Sequence, residues 1–124
     1  MSGWTATELD QIGQAEELQI APQRPDGSLP PYLPIWVVRD GDDLYVRSYR
    51  GPRGKWYRTA HDQRQGRIKA GGVERDVSFA DAPDDSRDAI SQAYESKYAR
   101  YGRDYLDPMT APDVAGTTLR LVPR

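Results

Sequence analysis

The chain has 124 residues, a one-domain length, with 37% apolar and 29% charged side chains, a mean hydropathy of −0.82 and a formal net charge of −2. It has no Cys and a single His, His61, which excludes a disulfide framework, a thiolate metal site, a Cys nucleophile and a multi-His metal centre within one chain. No apolar run approaches the ~20 residues of a membrane helix, and Met1–Asp10 lacks the basic and apolar regions of a signal peptide, so a cytoplasmic protein is expected.

Thr5 and Glu8 have the spacing of a capping box ahead of Leu9, Ile12 and Ala15, which predicts a helix over about 6–15. Leu18 and Ile20 alternate with polar neighbours and predict a short strand over 17–21. Residues 22–34 hold five Pro and one Gly and read as a loop, with a turn at Pro25-Asp26-Gly27. Ile35-Trp36-Val37-Val38-Arg39 reads as one strand, Asp40-Gly41-Asp42 as a turn and Leu44–Tyr49 as the return strand. On that return strand Leu44, Val46 and Ser48 share one face, and Tyr45, Arg47 and Tyr49 the other. The Asp40, Asp42 and Asp43 cluster forms a turn rather than a metal site.

A loop at Arg50–Gly54 leads into a predicted helix over 55–63, with Trp56, Tyr57 and Ala60 inward. Two strands, about 66–72 and 73–79, pair through Gly71-Gly72. Asp84 or Asp85 is placed to cap the longest helix, over about 86–101, with Gly102 as terminator. Tyr94, Tyr98, Tyr101 and Tyr105 follow at spacings of three and four, a stripe that reads as a packing face or as the lining of a ligand pocket or dimer interface. Asp107–Asp113 reads as a loop with two Pro, and 117–122 as a last strand. Short strands with regular turns favour an α+β fold built on a small antiparallel split β-barrel of about six strands. An N-terminal helix, a short central helix and a longer C-terminal helix would complete one domain.

The charge is unevenly spread: residues 1–45 carry −6, residues 46–75 carry +7 and residues 76–124 carry −3. The single basic stretch in an acidic chain points to a local anion site, and the acidic remainder disfavours a nucleic-acid partner. Its centre, Arg47 to Arg58, holds five cations, two Gly and three aromatics. Fixed N–H donors, cationic forks and a helix start are what phosphate binding requires, and Tyr49, Trp56 or Tyr57 offer flat faces for a ring. The same residues also read as a solvated basic face with its aromatics in the core. His61 reads as a general acid or base or, in a polar helix, simply as an exposed side chain.

Trp4-Thr5, Glu8-Leu9, Glu17-Leu18, Ile35–Val38, Leu44–Ser48, Trp56-Tyr57-Arg58 and Gly66–Val73, in that order, resemble the bacterial domain-of-unknown-function 2255 family (DUF2255). More distantly the pattern is similar to the split β-barrel superfamily that binds flavin mononucleotide (FMN) or deazaflavin. The resemblance implies a homodimer taking a small anionic or aromatic ligand. It places the cofactor phosphate where the return strand meets the helix, and makes Arg47, Ser48, Arg50, Lys55, Trp56 and Arg58 the expected cofactor-binding residues. It implies flavin or deazaflavin oxidoreductase activity. The alternative is a cofactor-free binding protein, cyclase or isomerase on the same fold. No constellation of residues marks a catalytic centre, and no metal is expected.

Overall fold

A computed structural model describes residues 3–124. Met1 and Ser2, the first residues of the stretch without leader features, lie outside them. The elements run α1 (Ala6–Gln14), β1 (Leu18–Pro22), β2 (Leu33–Ile35), β3 (Val38–Asp40), β4 (Asp43–Val46), α2 (Lys55–Gln63), β5 (Gln65–Ala70), β6 (Val73–Asp81), α3 (Arg87–Lys97), α4 (Arg103–Thr110), α5 (Pro112–Ala115) and β7 (Leu119–Pro123). The capping box forms: the Glu8 N–H donates to Thr5 Oγ1, and the Thr5 N–H donates to Glu8 Oε1. Leu9 and Ile12 then bury the inner side of α1.

The strands make one antiparallel sheet in the order β2-β1-β5-β6-β7-β4-β3. Its inner face packs Leu18, Ile20, Leu44, Val46, Ile68, Val77, Phe79, Leu119 and Leu121 into one core with α1 and Ala60 of α2. The other face, at Val38 and Tyr45, is covered by Ile90, Tyr94, Tyr98, Leu106, Met109 and Val114 of the C-terminal region. The predicted faces of β4 therefore hold for Leu44, Val46 and Tyr45.

The predicted strand over 35–39 is broken in two. Its first part continues β2, which pairs with β1; its second part is β3, which pairs with β4 at the opposite edge of the sheet. Only Trp36 and Val37 separate them, so Ile35 and Val38 can lie at most about 11 Å apart. The sheet is thus curled until its two edges meet at this corner, giving a split barrel. Backbone accounting explains the break. The Val37 N–H donates to the Tyr98 hydroxyl at 3.1 Å, and the Val37 carbonyl accepts from Lys97 Nζ at 2.7 Å and the Tyr98 hydroxyl at 3.0 Å. Side chains at the end of α3 replace the neighbouring strand. β2 adds a seventh strand inside the proline-rich stretch, and Pro34 is tolerated there because β2 is an edge.

Three other expectations are corrected. The return strand ends at Val46, because the Ser48 N–H turns to Thr117 Oγ1 (2.9 Å) instead of a strand. Neither Asp84 nor Asp85 caps α3; they lie in a 3₁₀ turn, and the helix stops at Lys97 rather than Tyr101. The predicted loop over 107–113 is mostly helical, in α4 and α5, since Leu106, Met109 and Val114 gain burial that outweighs Pro108 inside the helix.

Candidate functional site

Arg47 follows the last residue of β4, and the alternation of the strand sends it toward the helical layer, where it is 1% exposed. Nε donates to Thr118 Oγ1 (2.9 Å), Nη1 to Ser91 Oγ (2.9 Å) and the Met109 carbonyl (3.0 Å), and Nη2 to the Arg87 carbonyl (3.0 Å). The guanidinium also lies 5.3 Å from the centre of the Tyr94 ring. All four acceptors are neutral, and among the described residues no carboxylate pairs with Arg47. Burial pushes its pKa down, but a guanidinium stays charged at any ordinary pH. Four of its five N–H donors are used, so one N–H and the whole charge remain uncompensated.

Arg47 also lines a cleft of about 600 Å³. Glu17, Pro34 and Ile35 line it from the β1–β2 edge, while Arg47 and Tyr49 do so from the end of β4. Trp36 stands at the corner between the edges, and Trp56, Tyr101, Tyr105 and Met109 complete the lining. The cleft is therefore the split of the barrel, and five of its ten lining residues are aromatic. Tyr49 and Tyr105 are 52% and 56% exposed, so each offers a ring to the cleft.

The tyrosine stripe divides. Tyr94 and Tyr98 are buried packing residues, and burial holds both hydroxyls far above their ordinary pKa. Tyr101 and Tyr105 reach the cleft because the turn at Ala99–Tyr101 and Gly102 (φ 83°) redirects the chain after α3.

The six residues singled out by sequence fall in several places. Arg47 and Trp56 meet in the cleft. Ser48 is fully buried, its Oγ without a hydrogen-bond partner, pressed against Gly54: a Cβ on that glycine would come within 2.3 Å of the oxygen. Gly54 precedes α2 and offers no side chain to cap it, so first-turn N–H groups stay open near Ser48 and Trp56. Lys55 and Arg58 line a different groove, with Pro25, Thr59, Asp62 and Gln63. Arg50 is exposed and lines neither. Glu17, Ile35 and Met109 also line the cleft, and no local sequence pattern marks them for it, since the curl of the sheet assembles them.

His61 lies away from the cleft, in a small polar pocket with Tyr57, Asp81, Asp84 and Arg87. Its nitrogens are 3.7 Å from Asp62 and 3.8 Å from Asp81, beyond hydrogen-bond distance. Among the described residues no cluster of His, Asp and Glu suits a metal ion, and no helix is long and apolar enough to cross a membrane.

Residues 8–121 match the family described as "uncharacterized protein conserved in bacteria" (DUF2255). The chain belongs to this family. No curated protein sequence gives a significant match. Among solved structures the family fold is similar to HutZ, the heme storage protein of Vibrio cholerae, at 17% identity and a TM-score of 0.64 over 96% of this chain and 89% of that one. It is also similar to a FAD-binding protein of Mesorhizobium loti, at 15% identity and a TM-score of 0.55 over 98% and 91% of the two chains. A third likeness is to the FAD and heme binding protein of Mycobacterium smegmatis, at 17% identity and a TM-score of 0.57 over 94% and 64%. At these identities the likeness establishes the split-barrel fold.

Proposed function

We propose that this DUF2255 protein binds a flat, anionic cofactor of the flavin or deazaflavin kind in the split of its barrel, in the manner of a small oxidoreductase. One observation carries the reading: a buried arginine without a carboxylate partner lines a cleft rich in aromatic rings. An uncompensated buried charge is costly, and an anionic group at the cleft relieves that cost. The rings of Tyr49, Trp56, Trp36 and Tyr101 supply stacking faces for an isoalloxazine or deazaflavin. Its phosphate is met by the charge of Arg47 and the open N–H groups at the start of α2, with Ser48 buried behind them. Lys55, Arg58 and Arg50 stand outside the cleft and raise the local potential rather than touch the ring.

The only imidazole of the chain, His61, sits in another pocket, so a heme in this cleft would have no histidine ligand from the same chain. When bound, a flavin supplies two-electron redox chemistry, and the protein's part is binding and orientation. A second copy of the chain packed over the split would cover the cleft, and a homodimer belongs to this reading.

The test is titration with FMN and with a deazaflavin, followed by quenching of cofactor and tryptophan fluorescence. Saturable quenching is expected, and Tyr49→Ala, an exposed position, should weaken binding about tenfold. A protein that quenches neither cofactor is not a flavin protein, and the cofactor-free binding reading then takes its place.

A further inference from the structure

The cleft holds a second charge, of opposite sign. Glu17 lines it from the β1–β2 edge, one residue before the Leu18–Ile35 pair, which puts it beside Trp36 in the register. Its neighbour Glu16 is tied down by Arg100 and Tyr101, and its carbonyl accepts a hydrogen bond from the Tyr98 hydroxyl. Glu17 makes no hydrogen bond or ion pair among the described residues, although two basic side chains, Lys97 and Arg100, act on the same corner from α3 and the turn after it. The cleft is thus lined by an arginine without a carboxylate partner from the β4 side, an unpaired carboxylate from the β1 side and five aromatic residues.

We infer that Glu17 is the specificity-determining residue of the cleft, accepting a hydrogen bond from an N–H donor on the ring end of a ligand whose anionic end faces Arg47. This rests on the cofactor reading above. A carboxylate is acceptor-only when ionised, so it rewards a ring N–H and repels a ring edge carrying only carbonyl oxygens or negative charge. In an isoalloxazine the matching donor is the imide N3–H. The aromatic walls tolerate many rings, and the two opposite charges choose the orientation: ring edge at Glu17 and Trp36, tail at Arg47.

The test compares FMN with its N3-methyl derivative, which lacks that donor, on the full chain and on Glu17→Ala. Glu17 is exposed and makes no hydrogen bond, so the variant keeps its fold, which circular dichroism and the unfolding midpoint verify. The wild type is expected to bind FMN at least about tenfold more tightly than N3-methyl-FMN, and Glu17→Ala to bind both alike, because a charge-assisted hydrogen bond is lost in each case. Equal discrimination by the two proteins, or none by the wild type, overturns the role of Glu17 and leaves flavin binding standing. Failure of both proteins to bind FMN removes the cofactor reading, and this inference with it.

Discussion

The indole of Trp36 lies parallel to the ring of Tyr98, centroids 4.0 Å apart and planes 2° apart. The Tyr98 hydroxyl also accepts from the Val37 N–H, and its single proton lies between the carbonyls of Glu16 (2.9 Å) and Val37 (3.0 Å). One buried side chain at the end of α3 therefore holds the backbone where the strand breaks and braces the ring that forms the corner of the cleft. Tyr98→Phe should keep the stack but leave the Val37 N–H without its partner. Loss of that bond should cost about 1–3 kcal/mol in urea unfolding and shift Trp36 emission. Unchanged stability and emission would show that the strand break does not depend on the hydroxyl.

Arg47 joins the helical layer to the end of β4 through Ser91, Met109, Arg87 and Thr118. Arg47→Ala removes a long buried side chain and orphans two backbone carbonyls, so destabilisation of about 3 kcal/mol or more is expected. Arg47→Lys retains the charge but cannot reach four acceptors, and should lie between wild type and Ala. Chemical denaturation ranks the three; an Arg47→Ala protein as stable as wild type would refute the bracing role.

Gly66 on β5 faces the backbone of β1. A Cβ there would lie 2.6 Å from the Ala21 carbonyl oxygen, 2.9 Å from Pro22 Cα and 3.1 Å from the Phe79 ring. Gly66→Ala must push β1 from β5 and should cost about 1–3 kcal/mol, read as a fall in melting temperature. Gly72→Ala, where φ is 86° but nothing lies within 4 Å, isolates the backbone cost of the left-handed conformation for comparison. A harmless Gly66→Ala would mean the β1–β5 pairing is looser than its register implies.

Lys97 is half-buried against Val37 and Tyr98, and desolvation lowers its pKa from 10.5 to about 8. Between those values the unfolded chain carries a proton that the native chain does not, so stability should rise with pH from about 8 to 10. Above about pH 10 the raised pKa values of Tyr94 and Tyr98 act the other way: the unfolded chain releases protons that the native state keeps, and stability falls. Urea midpoints measured from about pH 7 to 11 should show a maximum, and Lys97→Met should flatten its rising side. A rise of equal slope in Lys97→Met would assign the effect to other groups.

Glu8 gives the acid limb. The Thr5 N–H and Arg75 hold its carboxyl below 4.5, so the capping box contributes fully above pH 4.5 and weakens as pH falls through the native value. Glu8→Gln should lose part of the acid sensitivity of α1, followed by helical circular dichroism between about pH 5 and 2. An acid transition identical to that of the wild type would place the sensitivity elsewhere.

Local chemistry was legible in the residues themselves. The box at Thr5 and Glu8, the hairpin turns at Gly41 and at Gly71-Gly72, the helix Lys55–Gln63, the faces of Leu44, Tyr45 and Val46, and the family all follow from patterns within a few residues. So does the basic stretch from Arg47 to Arg58, part of which lines the cleft. Tertiary structure decided what depends on distant partners. Trp36 and Val37 have good strand propensity, yet Tyr98 and Lys97, about sixty residues away, take the hydrogen bonds that a strand would supply. Pro108 and Pro112 suggest a loop over 107–113 for as long as only local preference is weighed, but the burial of Leu106, Met109 and Val114 against the sheet makes it helical. The split of the barrel is the clearest case. Arg47 and Trp56 come from the basic stretch, but Glu17, Trp36 and Tyr105 join them only because the sheet curls until its two edge strands, β2 and β3, meet.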